Sequence, residues 1–232
     1  MKKITTYLSF LVLMFFLVFL YSFTTGRNGR KTVQNAVVEF YEGDNNFLTH
    51  SMVNKLLIQN NESVQNKAKS VINLYGLENT VLQNPYVEEV AVFLTIDGQL
   101  KTTVKQRTPI ARIIAGNSSY YIDKQGVNIP LSDNYSARVL LISGIENDEN
   151  TKEILPLITL ILDDNFLEKE IIGIEKMKNN EYQFSVRSGD YKIDFGKLTK
   201  IDVKFKKLKA FYNKTFVDKT IQNYKTITLK YV

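Results

Sequence analysis

The sequence predicts an α+β protein carried on a single N-terminal transmembrane helix, with a small α+β unit followed by a mainly β half against which a few helices pack. Three observations predict it. Residues 4–25 form an apolar run without a charge; residues 36–107 read as strand, helix, helix, strand, strand; and beyond Pro109 short apolar segments recur with turn chemistry between them.

The run from Ile4 to Thr25 is about 22 residues long, close to the ~20 that a helix needs to cross a bilayer core. The apolar core of a cleaved signal peptide is shorter and ends at a small-residue site, whereas Tyr21-Ser22-Phe23-Thr24 offers only a poor one, so the expectation is an uncleaved anchor. Lys2 and Lys3 on one flank nearly balance Arg27, Arg30 and Lys31 on the other, and charge alone does not orient the span. Gly26 to Thr32 then reads as a polar link.

Val37 to Phe40 is a short strand candidate. Thr49 is placed to cap a helix with a stripe of Met52, Val53, Leu56 and Leu57, and a second helix carries Leu74, Leu77, Val81 and Leu82. That helix stops at Asn84-Pro85, because the residue before proline is pushed out of helical backbone. Val90, Val92, Leu94 and Ile96 alternate towards Asp97-Gly98, and Leu100, Thr102 and Val104 alternate back, which predicts a hairpin closed by a two-residue turn.

In the second half, strands are expected at Ala111–Ala115, Tyr120–Ile122, Val127–Ile129 and Arg138–Ile142. Ile154 to Leu162 reads as a largely buried helix with Pro156 in its first turn. Further strands are expected at Ile172–Met177, Tyr182–Val186 and Tyr191–Phe195. Ile201, Phe205, Leu208 and Tyr212 share a helical face, with Lys200, Lys204 and Lys207 read as the opposite, solvated stripe. The chain closes on Tyr224 to Val232, an alternating strand.

The net charge of +6 is local: residues 198–232 hold nine lysines against Asp202 and Asp218, and the remainder is nearly neutral. That pattern argues for one basic surface rather than a nucleic-acid protein. With no cysteine, thiolate catalysis, disulfides and cysteine metal sites are excluded. The single histidine, His50, stands beside a helix cap and is expected at the surface; Asp163, Asp164, Glu168 and Glu170 read as a solvated helix end. Asp194-Phe195-Gly196 copies a kinase tripeptide without the rest of the kinase set, and no phosphate-binding loop, nucleophile elbow or zinc-helix motif occurs. The four sequons at Asn61, Asn117, Asn134 and Asn213 carry meaning only in a eukaryotic secretory pathway. We expect no enzyme, cofactor, metal or small-molecule substrate, and a protein that binds proteins.

A series of motifs runs along the soluble chain: Asn84-Pro85-Tyr86-Val87, then Val104-Lys105-Gln106-Arg107-Thr108-Pro109-Ile110-Ala111, then Tyr120 to Gly126, and Ile129-Pro130-Leu131 leading to Leu141-Ile142-Ser143-Gly144. It continues with Ile193 to Gly196, Lys207 to Tyr212 and Ile227 to Tyr231. In this order the series resembles the FtsQ/DivIB cell-division proteins of bacteria. The resemblance implies a cytoplasmic N-terminus, one inner-membrane helix (4–25), a periplasmic POTRA-like domain (33–107) and a C-terminal β domain (108–232). It also implies a non-enzymatic scaffold at the division septum that recruits a membrane coiled-coil pair resembling FtsB and FtsL, and so helps regulate septal peptidoglycan synthesis.

A last strand at a sheet edge offers unpaired backbone groups to which a partner segment can add. The expected partner edge is therefore Thr226, Thr228, Lys230 and Tyr231, aided by Lys204 and Lys207. Many members of the family continue past the last strand, whereas this sequence stops at Tyr231-Val232. The alternative is an anchored POTRA module that binds client polypeptides, in a chaperone or transport role, along the hairpin edge around Val90 to Val104. An anchored cell-wall hydrolase would need a carboxylate pair in a cleft, a role that would fall to Asp163 and Asp164.

Overall fold

The computed structural model describes residues 2–29, 32–33, 35–41, 43, 45–58, 67–145 and 148–231; Arg30, Lys31, Asn61 and Val232 lie outside them. Helix α1 (Lys2–Gly29) is unbroken, and its stretch Tyr7–Arg27 is long and apolar enough to cross a membrane and is not buried by any other described residue. Contacts divide the chain into two units, Met1–Gln106 and Arg107–Val232.

In the first unit, β1 (Ala36–Phe40), β3 (Leu100–Gln106) and β2 (Val87–Leu94) form a sheet in the order β1-β3-β2. The pairing is parallel between β1 and β3 and antiparallel between β2 and β3. Leu100, Thr102, Val104 and Gln106 alternate inward along β3, and α2 (His50–Ile58) and α3 (Leu74–Leu82) bury Val53, Leu57 and Val81 against the sheet. Each helix has a side-chain cap: the Met52 N–H donates to Thr49 Oγ1 at 3.3 Å, and the Gly76 N–H to Asn73 Oδ1 at 2.9 Å. Buried Gln106 satisfies the turn before α2, accepting from the Phe47 and Leu48 N–H groups and donating to the Leu48 carbonyl. The hairpin loop departs from expectation: Leu94 pairs with Leu100, so five residues rather than two close it, and the Thr95 N–H donates to the Gln99 carbonyl. His50 is exposed as expected, its Nδ1–H donating to the Val38 carbonyl at 2.9 Å.

The second unit is built on one eight-stranded sheet. Its strands are β4 (Ala111–Ala115), β5 (Ser118–Ile122), β6 (Asn128–Pro130), β7 (Leu140–Ser143), β8 (Ile171–Lys176), β9 (Tyr182–Val186), β10 (Lys192–Gly196) and β11 (Thr226–Thr228). They run in the order β11-β10-β9-β8-β7-β4-β5-β6, with β7 parallel to both of its neighbours and β11 parallel to β10. A row of cross-strand partners, Ile113, Ile142, Ile174, Phe184, Ile193 and Ile227, forms the floor of the core. Helix α4 (Asp148–Leu162) lays Ile154, Leu157, Ile158 and Ile161 into that core, and α6 (Ile201–Val217) adds Phe205, Leu208 and Tyr212. Burying each such side chain contributes roughly 1.5–3 kcal/mol.

Three sequence expectations need correction here. Helix α4 starts at Asp148, so Pro156 stands in its interior rather than its first turn. A short helix α5 (Asn165–Glu170) follows, with Asp164 as its N-cap. Glu170 is buried rather than solvated: its Oε1 accepts from the hydroxyls of Ser188 and Tyr212 (2.9 Å). The Tyr191 hydroxyl in turn donates to that of Tyr212 at 2.7 Å, and burial pushes both phenols above their ordinary value. This polar knot ties α5, the β9–β10 loop and α6 together. Asp164 also pairs with Lys209, which holds its carboxyl below the usual range.

Candidate partner-binding edge

Strand β11 ends the sheet, and its sequence explains how it sits there. Ile227 and Leu229 turn inward and are buried, while Thr226 and Thr228 are exposed. In a parallel ladder the N–H and C=O of one residue point the same way, and successive residues point to opposite sides. The Lys192 N–H donates to the Lys225 carbonyl (3.2 Å) and the Leu229 N–H to the Asp194 carbonyl (2.8 Å), so residues 225, 227 and 229 face β10. Thr226 and Thr228 therefore direct their backbone N–H and C=O away from the sheet. Such a row is what an added strand needs.

The strand is shorter than the alternation suggested, spanning Thr226–Thr228 instead of running on through Tyr231. The reason lies in its neighbour: β10 ends at Gly196, at positive φ (+74°) after a register shift at Asp194/Gly196, so no ladder partner is left beyond Leu229. A Cβ at Gly196 would stand 3.2 Å from Lys230 Cα, and the close approach of the two backbones uses the missing side chain. Lys230 then reaches back over the sheet, its Nζ 2.8 Å from the Glu181 carboxylate and 4.0 Å from that of Asp194. Glu181 holds the Lys230 ammonium above its ordinary pKa, and Lys230 lowers that of Glu181. Tyr231 stands 93% exposed. On the other flank, the Tyr224 ring packs edge-on against Phe211 of α6 at 5.0 Å.

Two rows of residues on the side of the sheet away from the core lead to this edge. One runs Arg112, Leu141, Gly173, Ser185, Lys192, Thr226; the other Ile114, Ser143, Glu175, Gln183, Asp194, Thr228. Thr226 and Thr228 are thus the outermost members of two cross-strand series, and the Gln183 amide donates to Asp194 at 2.8 Å within the second.

The structure brings Thr226, Thr228, Lys230 and Tyr231 together and leaves Lys207 exposed on α6, but it moves Lys204 elsewhere. Lys204 is 1% exposed, so the solvated stripe does not include it. Its ammonium donates to the carbonyls of Phe195 (2.8 Å) and Lys197 (2.7 Å) and lies over the Phe195 ring at 4.6 Å. Burial pulls its pKa down. Lys204 thus braces the end of β10 from beneath. Sequence reasoning missed Glu181, Asp194 and Gly196 as neighbours of the edge. The signal was the Asp194-Phe195-Gly196 tripeptide, whose three residues face the outer side of the sheet, the core and the edge strand in turn. No cluster of metal-ligating side chains occurs among the described residues.

An apolar span long enough to cross a membrane, a small sheet-and-helix unit and a β unit with an open edge are the architecture of a membrane-anchored protein of two units. The model of the FtsQ/DivIB, C-terminal related family matches residues 108–232, and that of the POTRA-like domain matches residues 40–105. The chain belongs to the FtsQ/DivIB family. No curated protein matches it. The family is one of non-enzymatic division scaffolds, and with the apolar helix it makes the chain a single-pass membrane protein of the bacterial division site that takes part in protein–protein interactions of the divisome.

Proposed function

We propose that this protein captures a membrane coiled-coil pair resembling FtsB and FtsL by strand addition along β11, and through them helps regulate septal peptidoglycan synthesis. The observation that carries the reading is the outward direction of the Thr226 and Thr228 backbone groups at the end of the sheet. Tyr231 supplies an exposed aromatic beside the edge, Lys230 fixes the turn that follows it, and Lys207 contributes to encounter with an acidic partner. Lys204 serves as a positioning residue under β10. In this reading the N-terminus is cytoplasmic, residues 33–107 and 108–232 are two periplasmic domains, and no cofactor, nucleic acid or small-molecule substrate is involved.

The test exploits the geometry of an edge. Proline is tolerated where a strand N–H faces solvent and disruptive where it faces the ladder. Thr228→Pro in the full-length protein is therefore expected to leave thermal unfolding unchanged and to weaken capture of the purified coiled-coil pair by on the order of tenfold, as one lost hydrogen bond implies. Ile227→Pro should lower stability. Wild-type affinity in the Thr228→Pro protein would sink the strand-addition mechanism.

Client binding along the hairpin has one feature in its favour, since β2 is an edge of the three-stranded sheet. That edge is partly closed, because the Val92 N–H donates to the Glu78 carboxylate at 3.3 Å.

A further inference from the structure

The chain re-enters its first unit almost at once after the membrane span. Helix α1 ends at Gly29, and Thr32 is already bridged to Ala68, with its carbonyl 2.9 Å from where a Cβ of Gly98 would stand. Gly98 belongs to the β2–β3 hairpin tip, and Ala68 precedes the 3-10 turn Lys69–Val71, which lies beside α1. Three residues reach at most about 11 Å, and the two helical residues past Arg27 add about 3 Å. Thr32 is thereby held within about 15 Å of the hydrocarbon boundary, with the tip and the turn packed beside it, and the headgroup layer itself occupies roughly the first 5–8 Å.

These two segments expose large apolar side chains among polar ones, Asp97 at the tip and Ser70 and Asn73 around the turn. Ile96 at the tip is 81% exposed, Val71 71% and Tyr75, four residues on, 74%. The neighbouring Ile72 and Leu74 pack inward against Val33, Val92 and Leu100. The Lys69 ammonium joins turn and tip into one feature, donating to the carbonyls of Thr95 (2.7 Å) and Ile96 (2.9 Å). An aliphatic and aromatic tip beside a basic residue is the chemistry of a headgroup contact. Arg27, exposed at the end of the span, adds attraction for anionic lipid.

We infer that the hairpin tip and the adjoining turn form a membrane foot: Ile96, Val71 and Tyr75 sit in the headgroup layer of the bilayer that α1 crosses. The POTRA-like domain then stands on the membrane in a fixed attitude instead of swinging on a leash. The inference is independent of which partner β11 takes and holds for either orientation of the span.

The chain contains no tryptophan, so single reporters can be introduced into the full-length protein in nanodiscs. Ile96→Trp and Val71→Trp probe the foot from either side of the Lys69 link. Tyr41→Trp, just past the opposite end of β1 and about 16 Å along it, is the control. With lipids brominated near the headgroup, the two foot reporters are expected to emit to the blue and lose intensity, and the control to do neither. Foot reporters as open to acrylamide as the control, and unaffected by bromine, would overturn the inference. Shielding from acrylamide without quenching by bromine would also overturn it, in favour of a protein contact, as would equal lipid quenching at all three positions.

Discussion

A lysine with almost no solvent exposure must satisfy its ammonium inside the protein, and Lys204 does so on two carbonyls at the end of β10 and on one aromatic face. Lys204→Met keeps the length of the side chain but strands those carbonyls, so it is expected to cost about 1–3 kcal/mol of stability, read by denaturant unfolding. Lys207→Met, on the exposed side of the same helix, should stay within about 0.5 kcal/mol of wild type. Equal effects would contradict the distinction. The difference was partly legible in the sequence. At 100° per residue Lys204 falls about 70° from the centre of the stripe made by Ile201, Phe205, Leu208 and Tyr212, on its border, whereas Lys207 falls about 130° away. Charge suggested solvent and helical position suggested the boundary; the carbonyls that decided between them come from β10, which a helical pattern does not contain.

Among the elements, those with a strong local period were legible. The two capped helices of the first unit, the β2–β3 alternation and the stripe of α6 all follow from periods of 3.6 or 2. Elements bounded by neighbours were not. Strand β11 stops where β10 turns away, and a one-dimensional alternation carries no knowledge of where the adjacent strand ends. Helix α4 runs through Pro156, whose missing N–H and ring oppose a helical interior, because Thr151, Ile154, Leu157 and Ile158 are all buried about it. Since Pro156 itself is exposed, Pro156→Ala is expected to stabilise the unit by roughly 1–3 kcal/mol, measured by the midpoint of denaturant unfolding. A loss of stability would mean that the helix has accommodated the ring with contacts of its own.

For the whole molecule, the anchor and the two-part organisation could be read from hydropathy and motif order, but the order of strands in the large sheet could not. Its parallel pairs, β4 with β7, β7 with β8 and β10 with β11, join segments distant in sequence, and local patterning is silent about such partners. The anchor also sets how binding operates. Where the partner is the anchored pair proposed above, confinement to one membrane raises effective concentration, so removing residues 1–26 is expected to weaken capture on the order of 100-fold or more in a titration against the reconstituted partner, with no contact at β11 altered. Capture unchanged by the deletion would leave the anchor a matter of location alone. The two flanks of β11 have a mechanical consequence. If a partner adds to this edge as proposed, relative movement of membrane and wall at the division site would load the edge through that partner. Pulled along its axis, the strand loads its ladder bonds together; peeled from either end, it would yield them one at a time. The Lys230–Glu181 pair at one end and the Tyr224–Phe211 contact at the other are the fasteners a peel would have to open first, so the edge resists being unzipped as well as sheared.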